Sequence, residues 1–184
     1  MIDGPLVLGI ETSCDETAAA IVIDGTDVRS NVIATQIDLH ARFGGVVPEI
    51  ASRAHLEQIN GVIGAALEHA SMMLTDVDVV AATHGPGLAG ALLVGVSAAK
   101  ALALVLSVPY VGVHHLEAHL HAAWLEDPQV ELPMAVLLVS GGHTLFVAVD
   151  GPGQYRVLGG TVDDAEIAAA IAPCFVERAG QRTD

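Results

Sequence analysis

Four of the nine histidines fall within eight residues, at His114, His115, His119 and His121. On a helix, positions i and i+4 share a face. His115 and His119 would then point the same way and offer two imidazoles to one divalent metal, with His114 and His121 on other faces. Two ligands are too few for tight binding, so a third must come from elsewhere. The plainer alternative is a polar helix start with surface histidines. Glu117 stands two residues after His115, about 200° round the helix. The pattern is therefore H-x-E-x-H, not the H-E-x-x-H of zinc proteases, whose glutamate sits beside the metal.

Two turns of small residues, 11–17 and 140–144, each join two apolar runs. Backbone N–H groups in such turns can face phosphate oxygens. Asp15 and Glu16 cannot bind phosphate directly. They would hold a metal-bound water, a cationic group or a hydroxyl. Ordinary hairpin turns are the alternative for each taken singly, but two in equivalent places on two lobes would flank a nucleotide. Gly85 to Gly90 formally matches G-x-G-x-x-G. It lacks the acid expected about twenty residues on and follows a fourth strand, not a first, so these glycines are better read as allowing close strand–helix packing. Glu49, Arg53 and His55 crowd the start of a long helical pattern, where composition favours a solvated surface.

The elements that must position these residues follow from periodicity. Apolar runs at 6–10, 18–23 and 28–37 predict three strands, the second closed by Asp24-Gly25, a strong hairpin signal. Pro48 opens a helix to about Ala70, its missing N–H doing no harm at that position, with an apolar stripe of Ile50, Ala54, Ile59, Val62, Ile63 and Leu67. Strands at 77–83 and 108–113 alternate with a nearly all-apolar helix over 88–106, expected to be buried, and a short helix over 116–124. This predicts a mixed sheet with covered faces. Residues 126–133 form the best linker. Beyond it, strand, Ser/Gly turn, strand and Asp150-Gly151 repeat the opening pattern, followed by a strand at 154–158 and a helix from Asp164 to about Ile171.

Composition bounds the rest. The 184 residues are 52% apolar but only 3% aromatic, so the core must be built from Ala, Val, Leu and Ile. A mean hydropathy of +0.56 excludes disorder. Twenty-two acids against seven bases give a formal charge of −15, which opposes unaided binding to a phosphate backbone. Cys14 and Cys174 read as reduced, cytosolic thiols. Met1 to Pro5 has no basic segment of a signal peptide, and no apolar run of ~18 residues lacks a polar break. A cytoplasmic chain without a membrane partner is expected.

The stretches Val7 to Thr17, Phe43 to His55, Gly85 to Gly95, His114 to His119 and Leu137 to Thr144 together resemble the motifs of the TsaD family, the tRNA N6-adenosine threonylcarbamoyltransferases once described as sialoglycoprotein endopeptidases. The resemblance runs from about Leu6 to Asp164. The paralogue TsaB shares the fold but lacks the paired histidines. The resemblance implies the two-lobed α/β fold of actin-like ATPases (RNase H-like). It implies transfer of threonylcarbamoyl from threonylcarbamoyl-adenylate to N6 of adenosine 37 in tRNAs reading codons that begin with A. It implies one divalent metal, Fe2+ or Zn2+, with His115 and His119 as ligands. Leu138, Val139, Ser140, Gly141 and Gly142 would line the adenylate site, and Asp15 and Glu16 the reaction cleft. Partners would be a TsaB-type paralogue, met through the helices of the first lobe, and a TsaE-type ATPase.

The resemblance also divides the chain. Residues 1–130 would form the complete first lobe and 131–164 the start of an incomplete second. Residues 165–184 diverge from the family pattern, as after a frameshift. The third metal ligand, an Asp, belongs to a part absent from this sequence, so these 184 residues are expected to be inactive alone. A non-catalytic module that pairs with TsaB is the alternative reading, and a metallopeptidase a weaker one.

Overall fold

The computed structural model describes residues 4–127, 129–140, 143–151 and 153–161. The chain divides into two compact units, Met1–Ala118 and His119–Asp184.

The first unit is built on a five-stranded sheet of β1 (Leu6–Glu11), β2 (Glu16–Ile23), β3 (Asp27–Thr35), β4 (Val79–Gly85) and β5 (Tyr110–His114), in the order β3-β2-β1-β4-β5. The first three form an antiparallel meander, and β4 and β5 run parallel to β1. Asp24 and Gly25, with φ of 50° and 73°, are a left-handed pair that opens the three-residue connection 24–26 from β2 to β3, and the Thr26 N–H donates to the Ile23 carbonyl. Strict alternation in β1 and β2 sends Leu6, Leu8, Ile10, Ala19, Ile21 and Ile23 to one face. There they meet Ile59, Val62, Ile63 and Ala66 of helix α2 and Ala99 and Ala103 of helix α3.

A short helix α1 (Ile37–Ala41) follows β3 where the sequence reading extended the strand. Helix α2 (Pro48–Ala70) starts at its proline as predicted, and its buried set takes in Ala51, His55 and Ala66. Helix α3 (Ala89–Leu106) departs from expectation. Only Ala91, Gly95, Ala99 and Ala103, one stripe at i+4 spacing, are fully buried. Leu93, Leu104 and Val105 are 66%, 80% and 80% exposed. Small residues let the helix axis approach the sheet, and the bulky ones are left outward. At 18 residues and a mean hydropathy of 2.0, α3 is long and apolar enough to cross a membrane by composition alone, which corrects the expectation that no segment is. Its small-residue stripe packed on the sheet makes it a layer helix of the α/β unit. Both α2 and α3 end on a left-handed serine, Ser71 and Ser107, whose following N–H groups reach back to Leu67 and Ala103 carbonyls.

Within the first unit, α2 and α3 lie side by side on one face of the sheet, where the sequence reading expected helices on both. On its reverse face Val7, Ala18, Ala20, Val22 and Ala81 are half-buried, and Ile33 and Val111 exposed.

Helix α4 (His115–Glu126) spans the division between the units. In the second unit, β6 (Met134–Ser140), β7 (His143–Gly151) and β8 (Gln154–Thr161) form a second antiparallel meander. This matches the opening meander in order, as the repeat predicts. Leu120 and Trp124 of α4 pack on Met134, Val136, Leu138, Leu145, Val147 and Val149. The helix predicted over 164–171 lies outside the described residues.

Candidate functional site

Parallel strands β1, β4 and β5 end at one edge of the sheet, and the chemistry gathers there, as open α/β sheets generally arrange it. Glu11 closes β1 and Thr83 lies near the end of β4. His115 opens α4 directly after β5. The Glu11 carboxylate accepts hydrogen bonds from the Ser13 backbone N–H and the Thr83 hydroxyl. Its Oε2 also lies 3.3 Å from His115 Nδ1, and Ser13 Oγ lies 3.3 Å from the same nitrogen. Burial pushes the Glu11 carboxyl up, but hydrogen bonds from Thr83 and Ser13, with a smaller electrostatic contribution from the neighbouring His115 ring, outweigh it and hold it below the usual carboxylate range. Glu11 is thus an anion, and it turns the Nδ1 edge of the His115 ring toward itself, leaving Nε2 on the opposite edge. That is how metal-binding histidines are commonly prepared. His119 follows one helical turn on. Among the described residues, no cluster of three or more His, Cys, Asp or Glu forms a ready metal cage. Imidazole is a donor type that suits zinc or iron, so the chemistry of His115 and of His119 is compatible with such an ion.

The turn between β1 and β2 is clamped from behind. Thr12 is buried, its hydroxyl donating to the Ala91 carbonyl (2.8 Å) and accepting from the Gly95 N–H (3.1 Å). The Leu88 N–H donates to the Ser13 carbonyl at 2.8 Å. A Cβ on Gly87 would stand 2.5 Å from that carbonyl oxygen, and one on Gly95 2.4 Å from Thr12 Oγ1. Gly87 and Gly95 therefore serve close packing against the turn at 12–13, and Gly90 serves it against Ser52 of α2, whereas a Cβ on Gly85 would meet nothing within 4 Å.

Asp15 lines a cavity of about 190 Å3 with Ile37, His40, Ala41, Gly45 and Val46. Glu16 is exposed at the start of β2, opposite Thr35. Cys14 is exposed, yet partial burial and the hydrogen bond and charge of Asp15 push its thiol up to about 11. Leu138 packs in the core of the second unit and Val139 is half-exposed on β6. Ser140 ends that strand, and Gly141 and Gly142 lie outside the described residues.

Sequence reasoning passed over Glu11 and Thr83. The available signal was a lone acid closing an otherwise apolar strand. It also misjudged the start of α2, where Glu49 and Arg53 are exposed but His55 is fully buried. His55 Nε2 lies 3.1 Å from the Cys14 carbonyl, and Nδ1 faces Thr17 Oγ1 at 2.8 Å and Gln36 Nε2 at 3.3 Å.

Residues 27–177 match the family model for TsaD, tRNA N6-adenosine threonylcarbamoyltransferase. Proteins named tRNA N6-adenosine threonylcarbamoyltransferase are similar throughout. That of Trichlorobacter lovleyi is 58% identical over 160 residues, 87% of this chain and 46% of the relative. That of Pelobacter propionicus is 59% identical over 87% of this chain and 47% of the relative. That of Clostridium perfringens is 51% identical over 89% and 48%. The chain spans about half the length of the curated relatives it matches. Among solved structures, YeaZ from Pseudomonas aeruginosa is similar in fold, with a TM-score of 0.55 at 19% identity, over 86% of this chain and 67% of that one. Component A of the Acidaminococcus fermentans (R)-2-hydroxyglutaryl-CoA dehydratase gives 0.50 at 17% identity, over 88% and 48%. The fold is that of the actin-like ATPases, as expected.

Proposed function

This chain belongs to the TsaD family of tRNA N6-adenosine threonylcarbamoyltransferases, and from that premise we propose that it serves the transfer of threonylcarbamoyl from threonylcarbamoyl-adenylate to N6 of adenosine 37 in tRNAs reading A-starting codons. The observation that carries this reading is His115, presented at the sheet edge by Glu11 and Ser13 with His119 one turn on. In the reaction, adenosine N6 attacks the carbamoyl carbon and a new C–N bond forms. The bond from that carbon to the phosphate oxygen breaks, and AMP leaves with the electron pair. The N6 proton is lost to a base, for which Asp15 and Glu16 are the proposed carboxylates.

His115 and His119 would hold an iron or zinc ion, which when bound supplies Lewis acidity toward the threonylcarbamoyl oxygens. The chain's own part is orientation. Glu11 fixes the His115 ring, and Thr83 and Ser13 keep Glu11 charged. Residues 138–142 are proposed to line the adenylate. Residues 1–130 are proposed as the first actin-like lobe and 131–164 as the start of the second.

A net charge of −15 favours delivery of tRNA by partners. A TsaB-type paralogue and a TsaE-type ATPase, in the cytoplasm, are proposed. Because these 184 residues span about half the length of their relatives, they are expected to give no transfer product alone. Mass spectrometry of tRNA after incubation with the adenylate tests this, and clear product would refute it. The second reading, a binding module for a TsaB-type protein, is favoured by the exposed Leu93, Leu104 and Val105 on α3. Analytical ultracentrifugation with the paralogue tests it: a heterodimer that Leu104→Glu disperses supports it, and no association refutes it.

A further inference from the structure

Gln36, His40 and His55 are 2%, 4% and 0% exposed and touch one another in a line. At one end, His55 Nε2 faces the Cys14 carbonyl at 3.1 Å. A carbonyl only accepts, so Nε2 carries the proton. Burial holds the His55 pKa below its ordinary value, against the pull of the Cys14 carbonyl and the Glu11 and Asp15 charges, so the ring is neutral and Nδ1 must accept. At the other end, the Val47 backbone N–H points at His40 Nδ1 at 3.4 Å. A backbone N–H only donates, so the His40 proton is also on Nε2, which lies 3.1 Å from Gln36 Oε1. That places the Gln36 amide nitrogen toward His55 Nδ1, at 3.3 Å. Starting from either end gives the same assignment for the three side chains, with His55 Nδ1 shared as acceptor between the Gln36 amide and the Thr17 hydroxyl 2.8 Å away.

We propose that Val47 N–H, His40, Gln36, His55 and the Cys14 carbonyl form a one-way hydrogen-bond relay that fixes the two walls of the Asp15 cavity to each other, with His55 and Gln36 as positioning residues. His40, Gly45 and Val46 stand on one wall and Asp15 on the other. The relay starts at the residue after Val46 and ends at the residue before Asp15. The Gln36 backbone N–H adds a second tie, donating to the Asp15 carbonyl at 3.0 Å. Thr17, between His55 Nδ1 at 2.8 Å and Gln58 Oε1 at 3.0 Å, backs the same ring from β2. A second proton on His55, at Nδ1, would set donor against donor at the Gln36 amide, and one on His40, at Nδ1, would do so at the Val47 N–H. The relay therefore works only as a unit with both rings neutral. The catalytic importance of the Asp15 wall rests on the functional reading above, but the relay itself does not.

Long-range 1H–15N correlation of the histidine rings in the full 184-residue chain at pH 7.5 tests the assignment without any activity measurement. The expected result is that His40 and His55 are both neutral Nε2–H tautomers. A ring protonated on Nδ1, or charged, overturns the relay. Coupling is read on variants whose fold is checked by their methyl spectrum. His40→Leu should shift the Cys14 and Asp15 backbone resonances while leaving those of Asp24 and Gly25, at the far end of β2, in place. His55→Leu should shift them further, and His55→Gln, which retains a donor toward the Cys14 carbonyl, should restore them toward wild type. Unmoved Cys14 and Asp15 resonances in His40→Leu, or no difference between the Leu and Gln variants at position 55, refutes the coupling. If His55→Leu does not fold, the wild-type tautomers and the His40→Leu shifts decide. Transfer product from the tRNA assay above would overturn the expected inactivity of these 184 residues and leave the tautomer and shift results as they stand.

Discussion

Gly95→Ala puts two opposing effects on one residue of α3. In an exposed helix interior the change stabilises by about 1 kcal/mol, because alanine loses less backbone entropy. At position 95 the new Cβ would stand 2.4 Å from Thr12 Oγ1 and 3.3 Å from its Cγ2. Thr12 cannot yield cheaply. It is 1% exposed, and its hydroxyl joins the Ala91 carbonyl to the Gly95 N–H. Rotating it away gives up two hydrogen bonds worth about 1 kcal/mol each, and shifting the helix incurs the 1–3 kcal/mol typical of overpacking, about 2 in the middle of that range. After the propensity gain, a net loss of about 2–4 kcal/mol is expected. Urea unfolding, with far-UV circular dichroism and the indole-free first unit followed by its amide exchange, should show the midpoint lowered by about 1 M or more. Gly61→Ala and Gly64→Ala on α2 are the controls, since nothing lies within 4 Å of either new Cβ. Each should stabilise by about 0.5–1 kcal/mol. In a Thr12→Ala background the Gly95→Ala loss should shrink by more than about 1 kcal/mol. A Gly95→Ala chain as stable as its parent, or a loss unchanged by Thr12→Ala, would show that α3 is not seated on the 12–13 turn as described.

Three further outcomes are expected. His55 has its pKa lowered by burial, so below about pH 6.5 the unfolded chain binds a proton that the folded chain refuses; this contribution to stability is complete above that pH and is lost as pH falls toward the folded value, and His55→Gln should flatten that slope in urea titrations from pH 7.5 to 5. Glu11→Gln should weaken zinc binding about 10–100-fold by dye competition, the range for loss of a carboxylate behind a ligating histidine, and an unchanged affinity would remove Glu11 from the site. With its thiol pushed up to about 11, Cys14 in a Cys174→Ser background should alkylate ever faster from pH 7 to 10 without a plateau, whereas a plateau near pH 9 would mean that Asp15 and burial do not act on it.

Much of the first unit is legible in residue order. The apolar runs at 6–10 and 18–23, Asp24-Gly25 at the turn and Pro48 at a helix start each act within a few residues, and the structure follows them. The reading failed where a residue's role depends on a distant partner. The strand read as running to residue 37 stops at Thr35 and the chain coils into α1, where Gln36 turns inward between the His40 and His55 imidazoles. The apolarity of α3 suggested burial on all sides, but the close approach of its Ala/Gly stripe leaves Leu104 and Val105 outside.

The candidate site divides the same way. Helical spacing was enough to set His115 and His119 one turn apart, and the composition was enough to require an aliphatic core and to oppose unaided binding of nucleic acid. Only the tertiary structure decided that Glu11 and Ser13, 104 and 102 positions away in sequence, orient the His115 ring. It alone placed His55, in a motif that reads as solvated, under the turn that carries Cys14 and Asp15. Periodicity reports which face a residue takes on its own element. Which donor meets which acceptor depends on how parallel strands and helices from distant segments are brought to one sheet edge, and that is settled by packing.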